Sequence, residues 1–276
     1  MARVDLQLPQ TRGFGGTSRR DRWWLQPAIV FMGLGAFVVY STFAAFLGVH
    51  YFHDAGGAQY LSPFYSPVLF DPPGLHSGHA WFGTLPGWWP SWLPYSPALL
   101  ILWAPAGFRL TCYYYRGAYY KAFWADPPSC AVGEPRKGYL GENAFPLKIQ
   151  NIHRYFMYIA LLFLIVLSYD AIISYWFVDP ASGEKHFGVG VGSLVLTLNV
   201  ILLSGYAFGC HSLRHILGGR LDCFSKSKVQ SACYGCVSAF NKRHMLWAWT
   251  SLFMVGFADF YVWMVATGRI TDVRFF

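Results

Sequence analysis

Cys210-His211-Ser212-Leu213-Arg214-His215, closing on Gly218-Gly219 and followed by Cys223, puts thiols and imidazoles at the end of a long apolar run. These are the donors that bind zinc, iron–sulfur clusters and haem iron. His211 and His215 are four positions apart and project from one side of a helix. His244 opens the next apolar segment, so a hairpin returns it to the level that Cys210 left. Cys210, His211, His215, Cys223 and His244 are therefore expected to converge on a metal centre. Basic residues and thiols also sit at helix ends for electrostatic and packing reasons, and convergence is what separates the two cases. The donor types suit zinc, a [2Fe-2S] cluster with mixed Cys/His (Rieske-type) ligation, or haem b with an axial pair drawn from His153, His211, His215 and His244. Cys210 and His211 are adjacent, unlike the donors of the usual Rieske loop. Cys233 and Cys236 lie about 12 Å of helical rise or more before His244 and read as a surface pair.

Such donors need a scaffold, and the composition says which. Of 276 residues, 55% are hydrophobic and 20% aromatic. The charged share, 12%, is about half that of a soluble domain. The chain reads as an all-α multi-pass protein of the cell inner (plasma) membrane. Five transmembrane helices are expected, over about 23–49, 95–113, 153–178, 187–217 and 243–267, each long enough to cross the hydrocarbon core. Residues 1–22 form an Arg-rich arm with no cleavable signal peptide. A Pro-, Trp- and Gly-rich stretch from His50 to Pro94 is an irregular extracytoplasmic loop; its His50, His53, His76 and His79 lack metal-ligand spacing. Of the 21 Lys and Arg, the arm holds five, residues 109–154 seven and residues 214–243 six, against three elsewhere. That bias puts the N-terminus in the cytoplasm and the C-terminus outside. A net charge of +8 with no basic run or recognition motif excludes nucleic acid as a partner. All six cysteines fall on the reducing side, where structural disulfides are rare.

Three further groups carry chemistry. Asn151, His153 and Arg154 open the third span beside Tyr155 and suit hydrogen bonding to the carbonyl oxygens of a quinone. Asp170 and Asp259 lie deep in spans, where a charge is costly unless it is hydrogen-bonded or moves protons. The aromatic, basic run Cys112 to Trp124 lies at the membrane surface and suits an interfacial anchor or a docking face.

Cys112-Tyr-Tyr-Tyr-Arg116, Ala118-Tyr-Tyr-Lys121, Phe145-Pro146 leading to Gln150-Asn151 and His153-Arg154-Tyr155, Cys210 to His215 with Gly218-Gly219, and Asn241 to His244 before Trp247-Ala-Trp249 resemble the membrane-anchor subunit of actinobacterial succinate dehydrogenases and fumarate reductases. The resemblance implies a subunit of respiratory complex II. In that family a flavoprotein oxidises succinate, an iron–sulfur subunit passes the electrons on, and the anchor supplies a site for menaquinone or ubiquinone, commonly with haem b. On this reading Cys210 and Cys223 hold one iron, and His215 and His244 the other, with His211 as substitute. The competing expectation, a membrane protein that binds structural zinc or moves a metal ion, needs polar groups across the whole membrane. Only Asp170 and Asp259 lie towards the far side.

Overall fold

The computed structural model describes residues 13–72, 78–136, 147–179, 181–219, 223 and 226–276. The first twelve residues of the arm, His76, and Phe145-Pro146 lie outside the described residues. Contacts divide the chain into two compact units, one of residues 1–38 and 110–151, the other of residues 39–109 and 152–276.

Helix α1, Leu25–Leu47, starts with Pro27 in its first turn, where the missing N–H costs no helical bond. It stops at Gly48, whose φ of 67° is the left-handed conformation that ends helices. Tyr65 completes the stop: its hydroxyl donates to Ala44 O at 2.5 Å and accepts from Gly48 N at 3.1 Å.

In the first unit, residues of the arm pair with the loop at 129–133. Gly15 N donates to Gly133 O and Gly133 N to Gly16 O, at 3.0 and 2.8 Å. Thr17 donates to Ala131 O, and Arg19 reaches Ser129 Oγ and Cys130 O. A side chain at Gly133 would collide with the carbonyl of Gly13. Short helix α4, Tyr113–Gly117, runs into a π-helical turn, Ala118–Phe123, and Phe123 packs on Phe31 of α1 at 4.9 Å.

The second unit is a helix bundle closed at one end by hairpins. Strands β1 (Phe52–Ala55) and β2 (Ala58–Leu61) pair antiparallel, so the loop after α1 is more ordered than its prolines imply. Helices α2 (Pro97–Ile101) and α3 (Trp103–Leu110) follow. A 3-10 turn, Leu147–Ile152, leads into α5, His153–Ile173. Strands β3 (Trp176–Val178) and β4 (Lys185–Phe187) form the second hairpin. Then come α6 (Val191–Phe208), α7 (His211–Gly218), α8 (Lys228–Asn241) and α9 (His244–Ala266). Helix α6 packs against both α5 and α9. Tyr60, Phe177, Leu196 and Val262 form the core between the hairpins and the helices. Asp272 ties the end shut, accepting from the Tyr60 and Tyr261 hydroxyls and from Gly192 N.

Four helices among the described residues are long and apolar enough to cross a membrane: 25–47, 148–173, 191–208 and 244–266. Three expectations change. The span placed at 153–178 ends at Ile173, because Trp176–Val178 pairs as strand β3 with β4. The span placed at 95–113 is not one helix. Pro105 has no N–H for the carbonyl of Ile101, and the bond it removes is the one that would bridge the break at Leu102. The span placed at 187–217 ends at Phe208, and α7 is a separate helix. The deep carboxylates also find partners. Asp259 accepts from Tyr40 Oη at 2.6 Å and from Ser62 Oγ, and Asp170 from Ser66 Oγ. The loop after β2 thus threads into the bundle, where Ser62 and Ser66 are fully buried.

Candidate functional site

The break between α6 and α7 builds the site. Gly209 N still bonds to Gly205 O at 3.0 Å, but Cys210 N turns to Ala207 O at 3.2 Å. Cys210 then takes an extended conformation, φ −62° and ψ 133°, as the cap of α7. Gly209 has no room for a side chain: a β-carbon there would lie 2.8 Å from His244 Nδ1 and 3.2 Å from Phe240 O. The carbonyl freed at Gly209 is taken by Asn241 Nδ2 at 2.8 Å. At Gly205 a β-carbon would lie 2.7 Å from the Trp247 ring. The two glycines therefore bring α9 against α6 at the level of Cys210.

Here Cys210 is fully buried, His244 is 2% exposed and His153 9%. His153 Nε2 lies 3.2 Å from Cys210 Sγ. The two imidazoles are walled by one aromatic pair. Phe108 stacks on His153 with ring centres 4.7 Å apart and planes 10° apart, and Tyr206 stacks on His244 at 5.0 Å and 20°. Phe108 and Tyr206 touch at 5.1 Å. Arg109 places its guanidinium 4.8 Å over the Tyr206 ring and donates to Ala248 O and Ser251 Oγ at 3.1 and 3.0 Å.

The five residues expected to converge are not brought together. Cys210 and His244 are buried, whereas His211, His215 and Cys223 are exposed. On α7, His211 and His215 face each other instead, Nε2 to Nε2 at 2.9 Å. Partial burial, then the charges of His215 and Arg214, holds the His211 imidazole below its ordinary range. Arg214 turns to Ser238 Oγ and the Tyr234 ring of α8. Cys233 and Cys236 are exposed, as expected of a surface pair, and Cys112 and Cys210 are the two buried thiols. Asn151 and Arg154 are exposed on either side of buried His153 in the sequence. No three His, Cys, Asp or Glu side chains among the described residues stand close enough to hold one metal ion. Phe108, Arg109 and Tyr206 were not singled out from the sequence. The available signal was an Arg ending an apolar segment and a Tyr one helical turn before Cys210.

Residues 25–268 match the family model described as "Actinobacterial succinate dehydrogenase subunit SdhC". The chain belongs to this SdhC family. A chain of the "Mycobacterium smegmatis Sdh1 complex in the apo form" is 44% identical to it, with a TM-score of 0.84 over 100% of this chain and 98% of that one. No curated protein matches. The chain is thus a membrane subunit of a succinate dehydrogenase complex, and its partners are the other subunits of complex II. Membership sets aside the metal-ion transporter. The matched span contains the whole buried constellation, from Phe108 to Ser251.

Proposed function

We propose that this chain carries electrons from the iron–sulfur subunit of the complex to a membrane quinone, and that the buried constellation of His153, Cys210 and His244 marks the place where they pass. One observation supports this above the rest: two imidazoles and a thiol from three separate segments are buried at one level, stacked against rings that keep water out. Exposed donors would exchange with solvent; buried ones hold a ligand in a fixed, dry environment. The donor types are those of a mixed thiolate–imidazole [2Fe-2S] cluster, which takes two thiols and two imidazoles, but no three such side chains among the described residues stand close enough to hold one metal ion. When bound, such a group takes up and releases a single electron.

The residues of the chain do the positioning. Asn241 and Gly209 hold open the break that turns Cys210 inward. Phe108 and Tyr206 fix the planes of the two imidazoles, and Gly205 and Gly209 let α9 approach. Asn151, His153 and Arg154 are proposed to offer hydrogen bonds to the carbonyl oxygens of menaquinone or ubiquinone. Haem b is the second reading, favoured by the placement of His153 and His244 on different helices, α5 and α9.

The chain is further proposed to cross the plasma membrane five times from a cytoplasmic N-terminus. Helices α2 and α3 serve as the second crossing despite their break. Within the second unit, Tyr95 lies beside Gly48 at the end of α1, and Arg109 bonds to the first turns of α9. The 13 residues between them therefore link opposite ends of the bundle.

Spectra of the purified complex test this reading. A rhombic low-g EPR signal, reducible by succinate and lost in His244→Ala and Cys210→Ser, is expected for the cluster. Sharp optical bands that survive Cys210→Ser and vanish in His244→Ala assign haem instead. Neither signal, with quinone reduction intact in both variants, overturns the proposal.

A further inference from the structure

We infer that the second half of the loop between α1 and α2, residues 78–94, seats in the lipid headgroup region beside the C-terminal end of α1. The inference rests on the proposed crossing of the membrane by the long helices. The loop is built in two opposite halves. Tyr60, Ser62, Phe64, Tyr65 and Ser66 of the first half are buried, and the two serines bond to the carboxylates of Asp259 and Asp170. In the second half Trp81, Phe82, Trp88 and Trp92 are 57 to 80% exposed. Slack backbone does not explain the difference. Trp81 N donates to Val68 O at 3.0 Å, Phe82 N to Leu69 O at 2.9 Å and Leu85 N to Asp71 O at 3.0 Å, while the Trp89 indole donates to Leu93 O at 2.9 Å. The second half is tied to the first and still turns its large rings outward.

Where the rings stand and what the loop lacks name the partner. A β-carbon on Gly48, which ends α1, would lie 2.7 Å from Tyr95 O, and Trp89 meets the Tyr95 ring edge-on at 5.2 Å. The aromatic run therefore stands at the level where α1 ends. With 23 residues, α1 is long enough to cross a hydrocarbon core of about 30 Å, so that level is the boundary with the headgroups. Val39, Phe43 and Phe46 of α1 are exposed on the way there, an apolar surface that reaches the same level. Residues 50–96 contain no Lys, Arg or Glu, and of their two carboxylates, Asp54 and Asp71, the second is buried. Protein interfaces favour Arg beside their aromatic residues, and this loop has none. Water is no better a neighbour, because soluble surfaces rarely gather large apolar groups into one patch. Indoles, apolar with a single N–H donor, suit the headgroup region, where Trp is enriched.

The test uses the unmodified complex in lipid nanodiscs containing a phospholipid with a photoactivatable diazirine, placed either beside the headgroup or at the end of the acyl chain. Adducts are mapped by mass spectrometry. The headgroup-side probe is expected to label 78–94 at least about tenfold more than the exposed, charged stretch 181–185, since Trp favours the interface and charges favour water. Trp88→Asp/Trp92→Asp exchanges two exposed rings for charges, so it should lose most of that label while α1 keeps its own. Labelling of 78–94 no greater than that of 181–185 overturns the inference; it is the result expected if a second copy or a soluble protein covers the rings. Undiminished labelling in the double variant overturns it too. If that variant fails to assemble, the unmodified complex decides alone. The chain-end probe separates this inference from the reading beneath it: label is expected in the middle of α1 around Val39, and without it the membrane crossing itself falls, and the inference with it.

Discussion

Cys210 and His211 are neighbours in the chain and opposites in the structure. The thiol is fully buried beside His153, while the imidazole stands in the open and pairs with His215. Sequence adjacency put them in one ligand set; a change of backbone direction at a single residue separates them. A continuous helix would have turned Cys210 and His211 by about 100° from each other. The extended cap at Cys210 breaks that relation and leaves α7 to run along a surface of its own. The lesson is that the helix break is the structural element that decides which donors belong to the site.

The largest test of that contrast is functional. Cys210→Ser or His244→Ala should lower succinate:quinone reduction by more than about 100-fold, beyond the 10–100-fold typical of changes around a ligand shell. Succinate oxidation with a soluble acceptor should persist. The double variant His211→Ala/His215→Ala should stay within about threefold of wild type, as should Cys223→Ser, since surface changes are usually mild. Equal losses in both sets would erase the distinction between the buried and exposed groups.

Next in size is the glycine at the break. Gly209→Ala forces a β-carbon towards His244 Nδ1 and Phe240 O. One neighbour is backbone and cannot swing away, so a cost of about 1–3 kcal/mol is expected. Gly218→Ala, in the α7–α8 hairpin, meets the ring of Tyr234 instead, a half-buried side chain and not backbone. Thermal unfolding of the complex should place the first well below the second; the reverse order would locate the tight packing in the wrong region.

How much of this was legible beforehand follows from the same contrast. The long helices α1, α5 and α9 were readable because each is a long apolar run with a clear boundary: Gly48 after α1, the 3-10 turn before His153, Arg243 before α9. The run at 95–113 read as one span because Pro105 cuts hydrogen bonding without lowering hydropathy. The ends of the site were not readable, because they depend on pairs far apart in sequence. His153 meets Cys210 across 57 positions, and Ser62 meets Asp259 across 197. Residue types announced redox or metal chemistry at the α6–α9 hairpin; only packing could say that His153 joins Cys210 and that His211 does not.

A smaller effect is expected at Asn241, whose amide closes the contrast from the other side. Asn241→Ala leaves the carbonyl of Gly209 without its donor at 2.8 Å. An unmade bond to a buried carbonyl costs about 1–3 kcal/mol, and water reaching the site offsets part of that. The readable consequence is at Cys210, whose orientation the break controls. Alkylation of Cys210 by a membrane-permeant maleimide should be undetectable in the wild type and measurable in Asn241→Ala. No labelling of Cys210 in Asn241→Ala would show that burial of the thiol does not depend on the bond from Asn241.

The smallest effect concerns the exposed pair alone. The His211 imidazole is held low first by partial burial and then by its electrostatic interaction with His215 and Arg214. Removing one of those interactions in His215→Ala should raise the His211 pKa part of the way towards the ordinary value of about 6.5, and not fully, because the burial remains. The folded state favours the neutral ring, so α7 is most stable above that pH and loses stability as the pH falls through it towards the depressed value. Two-dimensional NMR of selectively labelled histidine measures the titration directly. A His211 pKa that falls in His215→Ala would mean that His215 stabilises the charged form, in which case the pair is held by a shared proton and not by two neutral rings.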